Sequence, residues 1–208
     1  MLSLWRGLYN SCENQARKDI RFVTVLHALT QPDITEIGNT IGRAKTAFTG
    51  LKRSLPGLRI HGRIELEIVD TSKVLSSDMC VRKRRALQYL NDGRSVFASR
   101  DVVLVHSHVL FFLGGNDSEA VRAKLATRYD APYGINMKSL YADKSVDDNL
   151  TSLCSYMLKD KWFYNNSMDS SGGKQGEYLR DESLSFIVRS HMNDRIGIDR
   201  SLVWSKDK

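Results

Sequence analysis

Cysteine is scarce in this chain: three in 208 residues, at positions 12, 80 and 154. An odd number of widely spaced thiols forms neither a disulfide framework nor a zinc-ligand spacing, and it fits a reducing compartment. No stretch approaches the roughly 18–20 consecutive apolar residues that a membrane-spanning helix needs. The opening MLSLWRGLYN is interrupted too soon to be the apolar core of a signal peptide. A cytoplasmic protein with no membrane partner is therefore expected. No internal repeat is visible, so a repeat architecture is not expected. Gly114-Gly115 precedes a helical pattern, but no Lys-Ser/Thr follows, which makes it a turn and no phosphate-binding loop.

What is present is an ordinary globular composition, 41% hydrophobic and 26% charged, with enough length for one domain and a proper core. The 31 basic residues against 24 acidic ones leave a net charge of +7. The surplus is uneven: residues 1–100 carry 17 Lys/Arg and 9 Asp/Glu, and the remainder is close to neutral. A one-sided basic excess points to a polyanionic partner.

The hydrophobic periodicity lays out the order of elements. RFVTVLHALT (21–30) reads as a first strand, followed by Pro32 and an Asp33 N-cap. Ile34, Ile37, Ile41, Ala44, Phe48 and Leu51 then recur at three- and four-residue steps, the pattern of a core-facing helix that Pro56-Gly57 stops. LRIHGRIELEIVD (58–70) alternates as a second strand, and DVVLVHSHVLFFL (101–113) is a third. Between them, residues 71–100 form an insertion with a basic amphipathic piece, VRKRRALQYL. A second helix (GGNDSEAVRAKLATRY), a short strand (134–141) and a third helix (146–162) follow. NNSMDSSGGKQG reads as a flexible linker, and ESLSFIVRSHM as a short amphipathic segment. The order β-α-β-β-α-β plus a helix predicts an α+β fold of the ferredoxin-like, split β-α-β kind, an antiparallel sheet with helices on one face. The expected organisation is a lead over 1–20, a main domain over 21–163 and a linker and tail over 164–208.

Chemistry concentrates on three of these elements. His106 and His108 share one face of the third strand, about 6.6 Å apart, so two imidazoles can converge on one cation. Glu65 and Glu67 share a face of the second strand by the same parity. Imidazole with carboxylate suits a divalent metal whose open positions accept phosphate oxygens. In the third helix, Tyr156 and Lys159 lie on one face at i,i+3. A phenolate beside a metal-activated phosphodiester and an ammonium becomes a usable nucleophile.

FVTVL (22–26), GRIELEI (62–68), HSHVLFF (106–112) and YMLKD (156–160) occur in the order of the motifs of plasmid rolling-circle replication initiators, members of the His-hydrophobic-His endonuclease superfamily, which the chain resembles over about residues 20–163. The resemblance implies a metal-dependent endonuclease and strand transferase that nicks and rejoins single-stranded DNA at a replication origin. It assigns Mg²⁺ or Mn²⁺ to His106, His108 and Glu67, because Glu67 precedes Ile68 as the family's glutamate does, with Glu65 in reserve. It assigns Tyr156 as nucleophile and Lys159 as its helper, with host helicase and polymerase as further partners. Ser107 departs from the family by standing where a hydrophobic residue is usual. Ser152 stands where two-tyrosine members place their other nucleophile, so this would be a single-tyrosine enzyme needing a second subunit, as in a homodimer, or an activated water to end a round.

Several alternatives stay open. A single-tyrosine transposase or mobilisation relaxase shares the same site, and a truncated initiator fits the short tail. A non-catalytic nucleic-acid-binding module shares the fold, but it normally carries stacking aromatics where this third strand carries histidines. Arg82, Lys83, Arg84 and Arg85 read either as a DNA-backbone contact or as a solvated helix face. His27 reads as structural, and Trp162, Phe163 and Tyr164 as helix-end packing in preference to base stacking.

Overall fold

Three β-branched, alternating segments become the long strands of one sheet: β1 (Ile20–Thr30), β2 (Arg59–Asp70) and β3 (Asp101–Phe112). The structure, a computed structural model, describes residues 17–74, 79–91, 99–158, 164, 178–197 and 201–204. Two short strands, β4 (Ile135–Ser139) and β5 (Leu202–Trp204), complete a five-stranded sheet of order β4-β1-β3-β2-β5 in which every pairing is antiparallel. With β1 and β3 central and adjacent, this is the expected ferredoxin-like arrangement, extended at the β2 edge by β5.

The six helices of the described residues are α1 (Ile34–Ser54), α2 (Thr71–Val74), α3 (Val81–Leu90), α4 (Ser118–Ala126), α5 (Val146–Leu158) and α6 (Asp181–His191). α1 starts where the Asp33 carboxylate accepts from the Glu36 N–H at 2.7 Å, and Lys52 and Arg53 close it at the negative end of its dipole. Its apolar stripe, Ile37, Ile41, Ala44, Phe48 and Leu51, meets Ile60, Ile64, Val103, Val105 and Phe111 of the sheet. α4, capped in the same way by Asp117, adds Val121 and Leu125 to this core.

α6 joins the same core through Phe186 and Ile187, and Ile196 and Val203 follow it. Part of the segment expected to be a tail is thus built into the core. Asp101 at the start of β3 anchors it, accepting from the Tyr164 hydroxyl at 2.9 Å and from Arg180 and Ser183. Arg180 also reaches Asp70 at 3.4 Å, so one guanidinium neutralises two carboxylates that face each other across β2 and β3.

The expectation of helices on one face holds for the two crossover helices and α6. α3 and α5 lie against the opposite face, in two separate apolar clusters. α3 covers Leu26, Leu29, Val69, Val102 and Leu104 with Ala86 and Leu87. α5 covers Ile20, Leu110 and Phe112 with Leu150, Cys154 and Met157. Leu104 and Leu110 of β3 therefore sit under different helices, and the two residues between them on that face are His106 and His108. No helix among the described residues is long and apolar enough to cross a membrane. Cys80 and Cys154 are free thiols.

Candidate metal centre

The gap between α3 and α5 is where the polar residues of this face collect. Antiparallel pairing puts Glu65 opposite His106, Arg63 opposite His108 and Glu67 opposite Leu104. Glu65 thus stands between the two imidazoles, with its Oε2 3.6 Å from His106 Nε2 and 3.9 Å from His108 Nε2. All three residues are buried, and one ligand atom from each lies within 4.8 Å of the others. Two imidazoles and a carboxylate so placed could hold a metal ion, and the donor set suits a divalent cation.

The carboxylate that the structure groups with the two histidines is Glu65, and not Glu67, to which the resemblance assigns the third position. Glu67 lies one pleat further along β2 and is ion-paired with Lys83 of α3, both side chains at most 5% exposed. Parity cannot separate the two glutamates, because both point to the same face. Only the register against β3 does.

His108 is held from two sides. Its Nδ1 lies 2.9 Å from the Thr24 hydroxyl on β1, and the Phe22 ring stacks on it at 5.5 Å with 15° between planes. A ligating histidine whose other nitrogen is so engaged is fixed in tautomer and orientation. Gly62 lets β2 approach this point, since a Cβ there would meet the His108 carbonyl oxygen and lie 2.6 Å from Val109 Cα. Ser107 is fully buried among the side chains of the α1 face, pointing away from the metal face as its parity predicts.

Tyr156 comes to the same place. Its half-buried ring lies 4.9 Å from the His108 ring and 6.1 Å from Phe22, edge-on to both. Tyr156, His106, His108, Lys83, Glu67 and Asn136 open onto one cavity of about 220 Å³. Tyr164, by contrast, is buried at Asp101, and desolvation together with that carboxylate pushes its phenol up, away from phenolate character. Lys159, Trp162 and Phe163 lie outside the described residues.

The four cations of α3 do not act as one surface. Lys83 faces inward because, with Ala86 and Leu87, it forms the buried stripe of that helix, so for Lys83 the reading as part of a solvated face is corrected. That stripe was available in the sequence, at i, i+3 and i+4. Arg84 turns back to the Met79 carbonyl at 2.9 Å. Arg85 is exposed, and the Arg82 guanidinium lies 5.9 Å from the Tyr133 ring at the cavity rim. Tyr133 holds a left-handed backbone, φ 60°, uncommon for a residue with a side chain.

His27 points the other way. A shift in the β1–β3 register between Leu26 and Ala28 turns it towards α1, edge-on to Phe48 and Tyr129. Burial, with a smaller contribution from His106, pushes its imidazole down to about 3. It is a neutral core residue and no ligand of the centre. Comparison of the chain with models of known families, with curated proteins and with solved structures finds no match.

Proposed function

We propose that this chain nicks and rejoins single-stranded DNA at a replication origin through Tyr156, the activity that its motif order implies. The observation that carries the reading is the edge-on packing of the Tyr156 ring against His108, in a cavity that His106 and His108 both line. Beside that ring lies the buried Glu65, His106 and His108 group, whose donor set suits a divalent cation.

A divalent ion, Mg²⁺ or Mn²⁺, held by Glu65, His106 and His108 would stabilise charge on the oxygens of a phosphodiester. The protein's own groups do the rest. Phe22 and His108 fix the Tyr156 ring, so its hydroxyl needs no large search before attack. An Oη–P bond forms and the P–O3′ bond breaks. The phenolic proton is lost, and the departing 3′-oxygen takes one up. One phosphodiester is exchanged for another, so the step reverses for rejoining and uses no water. Arg82 and Arg85, exposed on α3, supply sequence-independent contact with the DNA backbone. One nucleophile per chain makes a homodimer the natural unit for a complete round.

The test is to incubate the protein with Mn²⁺ and single-stranded oligonucleotides that include the cognate origin, then look for adducts that survive denaturation. An adduct that needs Mn²⁺ and vanishes in Tyr156→Phe supports the proposal. An equal adduct in Tyr156→Phe, or none on any oligonucleotide, overturns it and favours a binding module on the same fold.

A further inference from the structure

The insertion helix α3 has no counterpart in the motifs that suggest the activity, yet it places a lysine in the same cavity. We propose that Lys83 is a phosphate-contacting residue of this centre, held in place by Glu67. This rests on the reading of the cavity as a phosphodiester site and names a group for it that the motif order does not.

Burial makes a purely structural role a poor explanation. Lys83 is 2% exposed and its ammonium sits on the Glu67 carboxylate. Removing both charges from water carries a cost that pairing at best offsets, and an apolar pair of similar volume would usually serve stability as well or better. The site is suited to such a pair, because Lys83 shares the buried stripe of α3 with Ala86 and Leu87. What an apolar residue could not supply is a positive donor at the cavity wall. An ammonium carries three N–H groups, so one that is anchored on Glu67 can also hold a phosphate oxygen.

Charge balance leads to the same assignment. Glu65, in the imidazole–carboxylate group, and Glu67, at the cavity wall, bring two negative charges, which a divalent ion would only cancel. Lys83 and Lys138, which both line the cavity, would make the loaded centre net positive, the sign that complements a phosphodiester. Glu65 and Glu67 are two residues apart on β2, roughly 7 Å, so the metal-ligating group and the ammonium are adjacent without coinciding.

The test uses the full chain and three variants: Lys83→Arg, Lys83→Met, and Lys83→Met combined with Glu67→Met, which leaves neither charge unpaired if the single change fails to fold. Mn²⁺ affinity is measured first, then inorganic phosphate binding to the Mn²⁺-loaded protein by ³¹P line broadening, then the rate of adduct formation at saturating oligonucleotide. In the double variant, Mn²⁺ affinity stays within threefold of the parent, phosphate binding weakens at least tenfold and the adduct rate falls at least thirtyfold. Lys83→Arg recovers most of both losses, which a packing role would not predict. If the parent forms its adduct and the double variant matches it in phosphate binding and rate, the assignment of Lys83 fails while the nuclease reading stands. If the parent binds no Mn²⁺ and forms no adduct, both fail.

Discussion

Exchanging Glu65 and Glu67 separately for glutamine divides the candidate metal centre from the structure around it. Glu67→Gln leaves the buried Lys83 ammonium facing a neutral amide. Removing one member of a buried ion pair costs about 3–5 kcal/mol, and the retained amide oxygen places this case near 3. For a chain of this length that is a fall in Tm of roughly 6–12 °C. Its Mn²⁺ affinity changes little, since Glu67 is paired with Lys83 and stands outside the imidazole–carboxylate group. Glu65→Gln does the opposite. It removes the only anionic donor of the group, 3.6 and 3.9 Å from the two imidazole nitrogens, and leaves the Lys83 pair intact. Mn²⁺ affinity then falls ~100-fold, about 2.8 kcal/mol, with less than half the loss in Tm. Calorimetric titration with Mn²⁺ and a thermal melt of each metal-free variant read the two effects independently. A Glu67→Gln variant that loses Mn²⁺ while Glu65→Gln keeps it would refute the register-based assignment.

Three further changes probe the surroundings. Thr24→Val removes the hydroxyl at His108 Nδ1, and Mn²⁺ affinity drops about 10–100-fold with little change in the melt; unchanged affinity would mean that packing alone orients the ring. Gly62→Ala forces a methyl against the His108 carbonyl and Val109 Cα, costing about 1–3 kcal/mol by denaturant titration and weakening Mn²⁺ binding, whereas a variant as stable as the parent would show that β2 can move away. His27 concerns pH. Its folded pKa of about 3 lies below the ordinary 6.5, so between those values the unfolded chain binds the extra proton and stability is lost as pH falls, being complete above 6.5. Between pH 7.5 and 5.0 this one group accounts for about 2 kcal/mol. His27→Phe, which keeps the ring beside Phe48 and Tyr129, therefore loses about 2 kcal/mol less than the parent over that interval in urea titrations, and parallel losses would disprove the assignment.

The local patterns were strong enough to be legible residue by residue. Alternation in β1, β2 and β3 and the three- and four-residue spacing in α1 describe short-range periodicities that each segment carries alone. The same parity placed His106 and His108 on one face, and helix phasing set Tyr156 on its helix. β5 escaped notice because three residues carry too little pattern, and it exists only where it pairs with β2 at residues 61–63. α6 was legible as a helix but not as part of the core, since its burial depends on Asp101 and Arg180, 79 residues apart in the chain.

The candidate metal centre marks the division most clearly. Residue types and parity determined by themselves that two histidines and two glutamates share one sheet face, and that a tyrosine helix follows. Which glutamate joins the histidines was decided by the register of β2 against β3, a long-range pairing in which a shift of two residues keeps every side chain on its face and exchanges Glu65 for Glu67. The spacing of Lys83, Ala86 and Leu87 was readable in the sequence, but that this face turns inward with the lysine on it was decided by the docking of α3 on Leu104 and Val69.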